Sequence, residues 1–446
     1  MSSSTQTCRI EGCSFRPHRR QRVAALPALF GGKGLPPYFR RSASPCRPYC
    51  PIRGPDTLYT PHDGVRANVI PFNKPFIIGD ELQNISRAVR EYSHLSGDGV
   101  FTRQCQKWIE ERLVCRKALL THSCTAALEM AAILCNIQPG DEVVMPSFTF
   151  VSTANAFVLR GGTPVFIDIR PDTLNMDEDK IERAVTKRTK AVVPVHYAGI
   201  PCSMDKIDAI AKHYNLFVIE DAAQALLSTY RGKALGSIGD LGALSFHETK
   251  NVISGEGGAL LINREEFFER ANIIREKGTN RDAFFRGEID KYTWVDIGSS
   301  YMPGDMVAAF LIAQLNSADD IVKKRRNLFR RYYGLLEPFV GRTGIRLPLS
   351  NSDDSCNSHI FYIITNSAVE RRDLLEYLKR RDITAVFHYI PLHSSPAGKR
   401  YGRASGKLFH TDDLSGRLIR LPLYYEMKDK DVERVVNTIV RFYDSR

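Results

Sequence analysis

From Val69 onward, short apolar runs rich in β-branched residues alternate with amphipathic stretches of helical period. KALLT, DEVVMPSFTF, TPVFIDI, AVVPVHYAG and NLFVIEDAA each have an apolar middle and close on polar or small residues. Runs of that length, bounded by turn residues, read as buried strands. Glu81 to Tyr92 and Gln104 to Arg112 place their apolar residues on one face, and KALLTHSCTAALEMAAIL runs strand, turn, helix. Strands alternating with helices predict an α/β domain around a mostly parallel sheet, with its site at the carboxyl ends of the strands. After about residue 320 the rhythm changes. A long basic helix (Asp320 to Glu337), HIFYIIT, a helix from Arg371 to Arg380, ITAVFHY and a terminal helix predict a smaller α+β domain. The expected division is an extension over 1–66, a large α/β domain over 67–318 and a small domain over 319–446.

The first 66 residues are rich in Arg, Ser, Pro and Cys and lack apolar periodicity, so they read as disordered. An Arg- and Ser-rich, acid-poor start resembles a transit peptide, although its prolines would break the required amphipathic helix. A mis-set translation start is a further alternative. Of the 446 residues, the first 50 hold nine Lys and Arg against Glu11 alone, which is most of the formal net charge of +12. The body is therefore nearly neutral, which argues against nucleic acid as a partner. No apolar run approaches the ~20 residues of a membrane span. Cys8, Cys13, Cys46 and Cys50 have spacings that fit common zinc modules poorly, and no metal is expected. The six body cysteines are scattered in apolar contexts, as in reduced, cytoplasmic proteins.

Chemistry gathers around Lys250, in LGALSFHETKNVISGEGGALLIN. An apolar strand leads to the lysine, and a glycine-rich turn, Gly255 to Gly258, leads to the next strand. A lysine at the mouth of a buried sheet is desolvated, which favours the neutral amine that condenses with carbonyl compounds. The alternative is a solvated loop lysine. Other strand ends offer matching groups: Ser123-Cys124-Thr125-Ala126 opens a helix, where backbone N–H groups and hydroxyls suit a phosphate or simply cap the helix. Phe148-Thr149-Phe150 offers an aromatic for stacking or for the core. Glu220-Asp221 offers a carboxylate, able to cap a turn or to hold a pyridine nitrogen protonated, and Ser245 adds a hydroxyl.

On PGDEVVMPSFTFVSTANA, VIEDAAQA, SFHETKN, GEGGA and FHYIPLH, the chain from Val69 to its end resembles the DegT/DnrJ/StrS-type sugar aminotransferases, fold-type I enzymes dependent on pyridoxal 5'-phosphate. The resemblance implies Lys250 as the Schiff-base and catalytic lysine, and Asp221 as partner of the pyridine nitrogen. It places Gln224 near the phenolic oxygen, Phe150 on the ring, and Thr125, the Ala126 amide and Ser245 around the phosphate. His388, Tyr389 and His393 would line the substrate side; packing is the alternative for all three. The segments PVHYAGIPCSMD, EKGTNRDAFFRGEIDKYTWVDIGSSY and AVFHYIPLHSSPAG narrow the likeness to members acting at C4 of a dTDP-linked 4-keto-6-deoxy sugar, with L-glutamate as amino donor, in surface polysaccharide or antigen biosynthesis. A homodimer with shared sites is implied too. Lysine rather than histidine at 250 argues against the related sugar dehydratases. A 3-keto or UDP-linked sugar, or a regulatory protein on the same fold, are the remaining alternatives. Cys124 in place of the usual glycine, HYAG at 196–199 and Met302 depart from the broader family pattern.

Overall fold

The apolar runs build their strands close to where the pattern puts them. The computed structural model describes residues 69–349 and 355–446; the extension over 1–66 and its four cysteines lie outside the described residues. Among the described residues, seven strands of the large sheet come first: β1 (Lys117–Thr121), β2 (Glu142–Pro146), β3 (Thr163–Ile167), β4 (Thr189–Val192), β5 (Phe217–Asp221), β6 (Leu241–Ser245) and β7 (Gly258–Ile262), with a short hairpin of Thr229–Tyr230 and Lys233–Ala234 between β5 and β6. The C-terminal part adds β8 (Tyr362–Ile364), β9 (Arg403–Ala404) and β10 (Leu418–Arg420). The large sheet runs β1-β7-β6-β5-β4-β2-β3-β9, and β8 pairs with β10 separately.

Strand β7 is antiparallel to both of its neighbours, with Gly258 opposite Thr121 on one side and Ser245 on the other. All other pairs in the large sheet are parallel. The carboxyl ends of β1 to β6 therefore share one edge, and β7 starts there. Alternate residues of a strand face different cores. Leu119, Ala243, Leu260 and Ile262 pack with Ala127, Met130 and Ala131 of one helical layer. Ala118, Leu120, Leu244, Ala259 and Leu261 pack with Ile109 and Leu113 on the other. A sheet covered on both faces needs continuous apolar strands, which accounts for the absence of polar alternation.

The helices that position the site are α1 (Glu81–Arg90), α2 (Val100–Leu113), α3 (Cys124–Leu134), α4 (Val151–Val158), α5 (Asp305–Asn316), α6 (Ala318–Leu336), α7 (Ala368–Lys379) and α8 (Asp429–Asp444). Helix α2 starts one turn earlier than its periodicity suggests. Asp305, far away in sequence, accepts the backbone N–H groups of Phe101 at 3.3 Å and Thr102 at 2.8 Å, satisfying donors that a first turn leaves open. ITAVFHY does not form a strand. It touches its neighbours through single bridges, Ile70 with Ile383 and Val386 with Arg420, and then leaves the ladder with His388 and Tyr389. HIFYIIT contributes only Tyr362–Ile364 as strand, below α6 and α8, whose apolar faces share one core with Phe361 and Ile363.

Strand β9 lies within the segment expected in the small domain, yet it extends the large sheet beside β3. Its anchor is Arg403, which makes a two-pronged contact with the buried carboxylate of Glu142 on β2, at 3.0 and 2.8 Å. Arg188 and Thr186 donate to the same carboxylate. Arg403 first, then the Thr186 and Arg188 hydrogen bonds, hold Glu142 down at about 2, against an ordinary 4.5. A depressed carboxylate contributes stability above its unfolded pKa and loses it as pH falls through the folded value. Thermal stability is therefore expected to fall from about pH 4.5 downward in the native protein, and less steeply in Glu142→Gln; parallel acid profiles for the two would refute this role.

Candidate active site

Each strand end brings one group to the shared edge. After β1, Ser123 caps α3, its hydroxyl accepting the Ala126 N–H at 3.1 Å. The Ala126 amide is thus engaged in a cap, and the Thr125 hydroxyl pairs with that of Ser152 at 2.7 Å. After β2, Phe148 is buried, whereas Phe150, at the start of α4, is 55% exposed and offers an open ring face. After β5, Asp221 is buried; its carboxylate accepts the Thr153 hydroxyl at 2.7 Å and the Ala223 N–H at 3.2 Å. Thr153 is itself paired with Thr149 at 2.8 Å. After β6 come Ser245, half-buried, and Lys250, whose backbone N–H donates to the His247 carbonyl at 2.9 Å.

Gly258 holds these pieces together. A Cβ at that position would lie 2.4 Å from both the Cys124 nitrogen and the Ser123 carbonyl carbon, so only glycine lets β7 start against the turn before α3.

Among the described residues, the Lys250 amine has neither a hydrogen bond nor an ion pair. Burial pulls its pKa below the ordinary lysine value, Cys124 and Asp221 draw it partly back, and Arg420 pushes it further down. Burial, followed by Asp221, drives the Cys124 thiol well up, so this cysteine stays protonated and inert.

Opposite stands an aromatic wall from the C-terminal part. Gln224 bridges to it: its Oε1 accepts the Ala198 N–H and its Nε2 donates to the Tyr389 hydroxyl, both at 2.7 Å. Tyr389 stacks on His388, with centroids 3.6 Å apart, and lies 6.2 Å from the Phe150 ring. His388 Nδ1 meets the Tyr197 hydroxyl at 2.8 Å. Burial first, then Arg420 and Lys250, lower the His388 pKa far below its usual value, so the ring is neutral near pH 7. The structure thus gathers Thr125, Phe150, Asp221, Gln224, Ser245, Lys250, His388 and Tyr389 around one edge.

His393 belongs to a different network. Its Nδ1 meets the Ser147 hydroxyl at 2.7 Å, and its Nε2 lies 3.3 Å from Asp412. This pairing ties the loop to the end of β2 and separates His393 from His388. Residues that sequence reasoning missed include Thr153, which orients Asp221, and Tyr197, which orients His388. Asn251 and His359, paired at 2.8 Å beside Lys250, and Arg420 were missed too. All but Arg420 lay in quoted segments, but their partners are distant in sequence and only the fold brings them together.

Residues 77–440 match the DegT/DnrJ/EryC1/StrS aminotransferase family. The chain belongs to that family. It is 35% identical over 393 residues to the spore coat polysaccharide biosynthesis protein SpsC of Bacillus subtilis, covering 84% of this chain and 97% of that protein. It is 29% identical to the GDP-perosamine synthase of Escherichia coli O157:H7, covering 84% and 99%. The crystal structure of NtdA from Bacillus subtilis with bound cofactor PMP superposes with a TM-score of 0.75 at 27% identity, covering 85% of this chain and 86% of that one. The aminotransferase is thus an α/β protein of the expected fold. Among the described residues no helix is long and apolar enough to cross a membrane.

The electrostatics of the edge predict its titration. Neutral amine, the reactive form, should appear at Lys250 below the ordinary 10.5, and at exposed Lys206, held by Asp179 and Glu178, above it. Amine labelling of cofactor-free protein across pH, read by peptide mass spectrometry, should show Lys250 rising first; co-titration of the two lysines would contradict the burial argument.

Proposed function

We propose that this aminotransferase uses pyridoxal 5'-phosphate to move an amino group from L-glutamate to C4 of dTDP-4-dehydro-6-deoxy-D-glucose, giving dTDP-4-amino-4,6-dideoxy-D-galactose. The observation that carries the reading is an unpartnered, half-buried Lys250 amine, on the loop after β6, beside the buried Asp221 at the end of the neighbouring parallel strand β5. The donor set suits the cofactor. Asp221 offers an acceptor for a protonated ring nitrogen, Phe150 an open face, and Thr125 and Ser245 hydroxyls for a phosphate, with the Ala126 amide shared with its cap. When bound, the cofactor supplies an aldehyde for amine exchange and a ring that withdraws electrons from the donor Cα.

Lys250 has two tasks in this reading. Its amine would hold the cofactor through the aldehyde carbon, and when free would accept the proton from the donor Cα and donate it at the former aldehyde carbon. A lowered pKa supports both, because a base poised nearer neutral pH is neutral when needed. Thr153 orients the Asp221 carboxyl group by donating to it. Gln224 and Tyr389 form a polar link across the site, which supports contact with the cofactor's phenolic oxygen. Neutral His388, fixed by Tyr197, is a hydrogen-bonding group for the sugar; His393 supports the loop that presents it.

The dTDP-sugar assignment rests on the likeness of residues 194–205, 276–301 and 385–398 to members with that substrate. Similarity to a GDP-perosamine synthase keeps a GDP-linked keto sugar as the second reading. A cytoplasmic homodimer completes the proposal. Phe285 at 67% and Trp294 at 76% exposure, on the segment 281–297, support an interface there.

Incubation with L-glutamate and dTDP-, UDP- and GDP-linked 4-keto and 3-keto sugars, read by mass and NMR, should yield one 4-amino product, from the dTDP-linked 4-keto sugar. Lys250→Ala should lower turnover by on the order of 10³-fold or more. An active Lys250→Ala protein, or amination only at C3, would sink the assignment.

A further inference from the structure

The stretch that leads into β8 reaches two exits of the large sheet at once. Asn357 lies on it and is buried. Its Nδ2 donates to the Gln224 carbonyl at 2.9 Å and the Leu226 carbonyl at 2.8 Å, on the turn after β5. Its Oδ1 accepts the His359 N–H at 3.1 Å. Gly199 gives that oxygen its room, since a Cβ there would lie 2.1 Å from it. On the loop after β6, Asn251 Nδ2 donates to the Asn357 carbonyl at 3.0 Å, and Asn251 Oδ1 meets His359 Nδ1 at 2.8 Å. The Asn251 nitrogen is committed to a carbonyl, so its oxygen accepts and His359 carries a proton on Nδ1. Burial, then the charges of Lys250, Arg325 and Arg420, push the His359 pKa well below its usual value. The ring is therefore neutral near pH 7, with Nδ1 as its donor. Asn251 and His359 are buried as well.

Asn251 directly follows Lys250, and Gln224 is the residue whose side chain reaches Tyr389. The proposed reading sets Lys250 at the aldehyde carbon of the cofactor and Gln224 at the phenolic oxygen. Those atoms sit on adjacent positions of one rigid ring, so the two side chains must keep a fixed mutual distance. The sheet does not supply it. Its ladder between β5 and β6 ends at Asp221 opposite Ala243, short of both residues. The chain of hydrogen bonds through Asn357 spans the gap, and a buried carbonyl deprived of its donor is costly, which holds each link in place. We propose that Asn357 and His359, acting through Asn251 and the Gln224 backbone, are positioning residues that set the Lys250 amine against Gln224. The proposal rests on the cofactor reading for what these two side chains hold; the register between them belongs to the chain itself.

Two amide substitutions at His359 separate position from packing. His359→Asn puts an N–H where Nδ1–H stood and keeps the bond to Asn251, whereas His359→Gln places its amide toward the Nε2 position and loses it. In protein loaded with pyridoxal 5'-phosphate, the pH midpoint of the visible absorption band reports how Lys250 and Gln224 meet the cofactor. His359→Gln should move that midpoint by about half a pH unit or more and lower kcat by ~10-fold or more, with both KM values within about threefold. His359→Asn should restore the midpoint and kcat. An unmoved midpoint in His359→Gln, with only the Tm lowered, would reduce the network to structural support and overturn the proposal. Equal midpoints in the two variants would overturn it too. If His359→Gln does not fold, Asn357→Ala decides, because it removes the donors to Gln224 and Leu226 without adding charge. A moved midpoint there supports the register, and an unmoved one overturns it. The midpoint needs no substrate, so a native protein that aminates no sugar still decides the proposal by the midpoint alone, and only the functional reading falls.

Discussion

The approach of Gly258 to the Ser123–Cys124 backbone is the contact on which the site depends. It lets β7 run antiparallel between β1 and β6, so that the chain leaves the sheet at Ser245 and returns at Gly258 on the same edge. The twelve residues between form a loop confined against that edge, and Lys250 lies within it. A side chain at 258 would press on rigid backbone rather than on a flexible neighbour, so the strand or the turn before α3 would have to move. Either movement would separate the lysine from the hydroxyls of Thr125 and Ser245.

Low dielectric then does what position alone cannot. Around one edge, burial lowers the pKa of an amine and an imidazole and raises that of a thiol, and in each case it favours the uncharged form. Lys250 becomes a usable base, His388 a neutral hydrogen-bonding group and Cys124 a spectator. Asp221 is fixed on the same edge by the Thr153 hydroxyl and the Ala223 N–H, which both donate to it. One edge thus holds an amine whose pKa is lowered and a hydrogen-bonded Asp221 side by side.

The parts legible in the sequence were those carried by local pattern. Apolar runs with polar ends marked β1 to β7, and the order of their terminal residues marked Phe150, Asp221, Ser245 and Lys250. What was not legible depends on partners distant in sequence. The early start of α2 requires Asp305, about two hundred residues away, and the orientation of Asp221 requires Thr153 from a different strand end. ITAVFHY looked like a strand because its composition suits one, but it makes only isolated bridges, Ile383 with Ile70 and Val386 with Arg420, before the chain turns toward the site. The resemblance put histidines 388 and 393 together on the substrate side, and the fold divides them between Tyr197 and the Ser147–Asp412 pair.

The central claim is that the unpartnered Lys250 amine is the group that engages a carbonyl cofactor. Borohydride reduction of the protein with pyridoxal 5'-phosphate, followed by peptide mapping, tests it most directly. The account predicts one stoichiometric, irreversible adduct on Lys250, lost in Lys250→Ala. An adduct on another lysine, or none at Lys250, would contradict it.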